Sequence, residues 1–169
     1  MRIYRLISCA VFLVALAVPP AVLGASPLKG EILGLRVNMP KADVQKRLQE
    51  IGKFVRDERK RQQVWEVRHE SYSHVVIGFD SRDLLRYVTA VAREDKDAKR
   101  VAYSDIAKVE EAQQAGDRAI NNFNYEWRIT PEKGQPDAMI LARGRDPKFL
   151  STYSLKRLAE HAEEPDEKE

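Results

Sequence analysis

Between residues 64 and 155 the chain repeatedly alternates apolar and polar side chains over short stretches, a period of two that suits a half-buried β-strand. Residues 64–69 place Trp65 and Val67 on one face, 73–79 place Val75, Ile77 and Phe79 together, and 84–93 place Leu85, Tyr87, Thr89 and Val91 together. Farther on, 124–130 align Tyr125, Trp127 and Ile129, 138–143 form another strand, and 149–155 align Phe149, Tyr153 and Leu155. Runs rich in Ser, Asp, Gly and Pro separate them, at 70–73, 80–83, 131–136 and 144–147. The spacing predicts antiparallel meanders with one buried face.

Two segments carry the helical period instead. Val44, Leu48 and Ile51 recur at i, i+4, i+7, with Pro40 suited to a first turn and Gly52 to a C-cap, which predicts a helix over 40–51. Ser104 as a cap, early acids at Asp105, Glu110 and Glu111, and a stripe of Ile106, Val109 and Ala112 predict a second over 104–115. The expected fold class is therefore α+β, with helices packed on one face of an antiparallel β-sheet. Because helix, strand, strand, strand occurs twice, over 40–93 and 104–157, two tandem helix-plus-three-strand units are one reading of the order. A single mixed domain over 26–158 is the other.

The N-terminus constrains location. Arg2 and Arg5 precede an apolar run, 10–18, that stops at Pro19-Pro20 and gives way to small residues. Residues 7–18 fall well short of the roughly 20 that a spanning helix needs, so 1–25 read as a signal peptide cleaved near Gly24 or Ala25. Cys9 is the single cysteine and sits inside this leader, which leaves no disulfide or thiolate metal site beyond it. Leu6-Ile7-Ser8-Cys9 resembles a lipobox, but the apolar run follows this cysteine instead of preceding it. The absence of any Asn-x-Ser/Thr acceptor points, with the missing disulfides, to a bacterial envelope: the expected location is periplasmic or secreted.

Charge is unevenly spread. The net charge of +3 falls near neutrality once Arg2 and Arg5 leave. Residues 159–169 hold Glu160, Glu163, Glu164, Asp166, Glu167 and Glu169 against Lys168, so the body is basic and the tail acidic. Such a composition predicts a solvated, disordered end, with folding back over basic residues as the sharper reading. The basic counterpart is Arg56, Arg59, Lys60 and Arg61, with Arg47 and Lys53 nearby; it suits an acidic protein face or an anionic lipid.

A family likeness runs through the first half. Leu35-Arg36-Val37-Asn38-Met39-Pro40-Lys41-Ala42-Asp43-Val44, then Leu48, Trp65, 75–80 ending in Phe79-Asp80, and Leu85-Arg86-Tyr87-Val88 resemble the SmpA/OmlA (BamE-like) domains of bacterial envelope proteins over about residues 33–92. Asn38 stands where that pattern has glycine, and the family's lipid-bearing cysteine has no counterpart. The resemblance implies a helix-plus-antiparallel-sheet module that binds other proteins in the envelope.

Catalytic motifs are weak. His69 and His74 flank a turn without a third ligand of suitable spacing, and His161 lies in the tail, so no metal is expected. Ser71, Ser73 and Ser81 sit in turns with no nucleophile elbow, Asp80 and Asp83 suit turn formation, and Gly30 and Gly34 do not begin a phosphate loop. The expected function is a non-catalytic envelope protein, without cofactor or nucleic acid, that binds or scaffolds another protein. Its expected partner-binding residues are Arg56, Arg59, Lys60, Arg61 and Trp65; Trp65, Tyr125, Trp127 and Tyr153 suit an exposed aromatic patch for a partner and, by their strand period, the core face equally well. A periplasmic small-ligand or lipid carrier is the alternative.

Overall fold

In the computed structural model the described residues are 30–114, 120–129 and 136–158. The leader, Cys9, residues 159–169 and His161 lie outside them. One helix, α1 (Lys41–Ile51), is followed by β1 (Gly52–Arg59), β2 (Gln62–Val67), β3 (Tyr72–Phe79), β4 (Leu85–Ala92), β5 (Gln113–Gln114), β6 (Phe123–Ile129), β7 (Ala138–Gly144) and β8 (Thr152–Arg157). All eight strands form one sheet in the order β1-β2-β3-β4-β8-β7-β6-β5, antiparallel at every pairing.

This corrects the α+β expectation of two helix-plus-three-strand units: the molecule is mostly one sheet carrying a single short helix. The expected helix over 104–115 is, in its described part, a pair of 3₁₀ turns, Tyr103–Asp105 and Val109–Glu111. Tertiary pairing explains why. Ala102 bridges Phe149, the Tyr103 amide donates to the Lys148 carbonyl, and the Leu150 amide donates to the Val101 carbonyl, which holds the entry extended. The Lys108 carbonyl, which a helix would bond to the amide of residue 112, accepts the Trp127 indole N–H at 3.0 Å instead.

The charged segment 54–63 is mostly the edge strand β1. Its alternation is hidden by two register shifts against β2, at Phe54/Arg56 and Asp57/Arg59. Gly52 joins α1 to β1 without a loop, and a Cβ there would lie 2.1 Å from the Glu66 carbonyl oxygen, so the close approach requires glycine.

The core lies on one side of the sheet. Val44 and Leu48 of α1 pack with Trp65, Val67, Val75, Ile77, Val88 and Ala90, while Tyr103 and Ala107 of the 93–112 crossover join Tyr125, Trp127, Ile140, Tyr153 and Leu155. In β4 a register shift at Gly78/Phe79 moves the inward positions from Leu85 to Val88 and Ala90. Tyr87, Thr89 and Val91, expected to share the face of Leu85, point the other way. The meanders β1–β4 and β5–β8 meet antiparallel at β4 and β8, where the Thr89 and Ser154 hydroxyls hydrogen-bond at 2.9 Å. Rotating one meander onto the other about that pair carries Trp65 onto Trp127, each paired with the next strand at Val75 and Ile140.

Candidate protein-binding face

Strand alternation gives the sheet a second face, and among the described residues neither α1 nor the crossover packs on it. The register assembles it row by row. Nearest the β1–β2 hairpin run Arg59, Gln62, Gly78, Tyr87, Lys156, Met139 and Arg128; the next row is Arg56, Val64, Val76, Thr89, Ser154, Leu141 and Glu126. The third is Lys53, Glu66, His74, Val91, Thr152, Arg143 and Asn124. Val64 and Leu141 are only 4% and 9% exposed, yet neither belongs to the core cluster on the other side. Val76, Tyr87, Val91 and Met139 are half-buried around them.

The rim of this face is basic. Arg56, Arg59, Arg128, Arg143 and Lys156 are exposed, as are Lys53 and, at the β4 register shift, Arg86. Lys53 pairs with Glu66 at 2.9 Å and Arg56 with Glu58 at 3.5 Å. Among the described residues, no ion pair holds Arg59, Arg61, Arg86 or Lys156. Tyr87 lies across Gly78, where a Cβ would come within 2.2 Å of the ring. Burial raises the Tyr87 phenol above its usual value; Arg86 opposes this, Glu58 adds to it and Arg59 opposes it. The phenol is therefore neutral at pH 7 and available as a donor.

The residues singled out in the sequence divide between the faces. Arg56 and Arg59 stand on the open face, and Lys60 and Arg61 form the hairpin tip at its corner, with Arg61 at φ 65. Trp65 turns to the covered face, 4% exposed, with its indole N–H donating to Gln63 Oε1 at 3.3 Å. Its ring meets Phe54 edge-on at 5.5 Å, and so braces a phenylalanine that is itself 46% exposed beside Val55 on β1. Tyr125, Trp127 and Tyr153 are buried core.

The chemistry candidates hold turns. The Asp80 carboxylate accepts the amides of Arg82 and Leu84 at 2.9 and 3.0 Å and pairs with Arg157 at 3.0 Å and Arg82 at 3.3 Å. Burial pushes its pKa up, but the Leu84 amide, the Arg157 guanidinium and the Arg82 amide outweigh it and hold the group below its ordinary value. Asp83 pairs with Lys41 at the surface. His69 stacks on Tyr72 and its Nδ1 accepts the Ser71 amide, whereas His74 lies on the open face between Glu66 and Val91. Among the described residues, no group of three His, Cys, Asp or Glu is placed to hold a metal ion.

Most of the open face escaped sequence reasoning, although a signal for it was present. The runs Val75-Val76-Ile77 and Met139-Ile140-Leu141 are apolar on both phases of the alternation, as strands are when both faces are to be covered. Two surface concavities of about 470 Å³ each are open and lined by charged groups, one including Arg68, Glu70 and Arg93, the other Glu94, Arg143 and Arg145. They differ from the closed apolar hollow a lipid carrier uses. No known protein family, curated protein or solved structure matches the chain. The likeness to SmpA/OmlA domains therefore rests on the residues that carry it.

Proposed function

We propose that the protein is an exported, non-catalytic component of a bacterial envelope that binds an acidic surface of another protein through the open face of its sheet. The observation that carries this reading is a sheet face on which, among the described residues, neither α1 nor the crossover packs, with half-buried Val76, Tyr87, Val91 and Met139 at its centre and a basic rim. Apolar residues in the middle of a patch supply the area removed from water, and rim charges steer the encounter and select partners of opposite sign. The leader-like 1–25 and the SmpA/OmlA resemblance support the envelope location.

Affinity capture from a bacterial envelope extract tests it, comparing the wild type with the triple variant Arg56→Glu, Arg59→Glu, Lys156→Glu and with Lys46→Glu on the exposed side of α1. A partner retained by the wild type and the α1 variant but weakened at least about tenfold in the triple variant is the expected outcome. Equal retention by all three, or co-purified lipid in place of protein, would overturn the reading.

A further inference from the structure

We infer that the acidic segment 159–169 of this same chain is an internal occupant of the basic corner of the open face, competing there with the partner. This rests on the proposed function for its consequence, although the contact itself does not. The geometry begins where the described chain ends. Arg157 closes β8 and is fixed by Asn38 Oδ1 at 2.6 Å and by Asp80, while the Leu158 amide donates to the Asp137 carbonyl. The chain therefore leaves the sheet at one defined end.

That end also carries the β1–β2 hairpin: the Phe79 amide at the end of β3 donates to the Arg61 carbonyl, and Asp80 follows it. From β8 across β4, β3 and β2 to β1 is four strand spacings, about 19 Å. Eleven residues can extend to about 36–40 Å, so 159–169 reach the hairpin with about half their length left to lie along it.

Charge supplies the match. The segment has six acids and one lysine, and its path over Lys156, Arg86, Arg59 and Arg61 crosses cations that no ion pair holds among the described residues. A tethered anion is present at an effective concentration in the millimolar range, so even a weak site is substantially occupied. The tail thus sets a threshold that an acidic partner must exceed.

The test uses the full chain with Cys9→Ser and a nitroxide on Lys168→Cys, which keeps every tail acid. Strong paramagnetic broadening of the amides of residues 59–62, compared with 69–70 at the far end of the sheet, is expected. It should vanish in Arg59→Glu, Lys60→Glu, Arg61→Glu and in about 1 M salt, where the Debye length is about 3 Å. Broadening no greater at 59–62 than at 69–70 would overturn the proposal. In parallel, a fluorescent acidic dodecapeptide should bind the chain lacking 159–169 about threefold to tenfold more tightly than the full chain, and equal binding would also overturn it. If neither form binds the peptide while the broadening persists, the tail contact stands and the partner reading falls.

Discussion

Asp80 shows how one side chain organises the end of the sheet where the open face is most basic. Its carboxylate ties the β3–β4 turn to β8 through Arg157, which also bonds Asn38, a residue held at φ 64 just before α1. Asp80→Asn removes the charge facing Arg157 and should cost about 3 kcal/mol in urea unfolding at pH 7, since both partners are largely buried. The pH dependence has a definite sign. A carboxyl with a lowered folded pKa contributes fully above its unfolded value, about 3.9, and loses that contribution as pH falls through the folded value. Unfolding followed from about pH 5 down to pH 2 should show a larger loss in the wild type than in Asp80→Asn, where only the lowered carboxyls of Glu66, Glu70 and Asp146 still contribute. At this scale the sequence was partly legible: the Asp-Ser-Arg-Asp turn was readable, but the partner Arg157 lies too far along the chain to be inferred from spacing.

Elements were legible where they are regular. Strands β2, β3, β6 and β7 stand within two residues of where alternation puts them, because each has one mostly buried phase. α1 follows its apolar stripe. β1 was hidden because two bulges break its period and an edge position lets charged side chains stand on both faces. The crossover failed for the opposite reason: residues 104–112 have a helical pattern, but at their entry the Val101 carbonyl and the Tyr103 amide are taken by the Leu150 amide and the Lys148 carbonyl, and the Lys108 carbonyl accepts the Trp127 indole. Trp127→Phe tests that account. It should cost about 2–3 kcal/mol, through a lost hydrogen bond and a residual cavity, and should speed amide exchange over residues 106–112. Trp65→Phe, whose indole bonds only the Gln63 side chain at 3.3 Å, should leave exchange in that segment unchanged.

Across the whole molecule the decisive contact is the β4–β8 seam. It joins residues 65 apart in the chain, such as Thr89 and Ser154, a separation that no local pattern encodes. Without it the chain would be two small meanders; with it a continuous core runs beneath β2, β3, β4, β8, β7 and β6. Thr89→Val alone should cost about 1 kcal/mol by leaving the Ser154 hydroxyl without its partner, and Thr89→Val with Ser154→Ala should recover most of that. Urea unfolding of each variant by tryptophan fluorescence measures this, and Trp65 and Trp127, one in each meander, should report a single transition.

The broken register of β1 has a consequence for how the molecule meets others. A strand whose pairing slips twice within eight residues presents no even row of amides and carbonyls, so a second sheet cannot zip onto that flank and grow into a fibre. An approach along that flank meets no regular backbone ladder to extend, so any grip there is set by side chains.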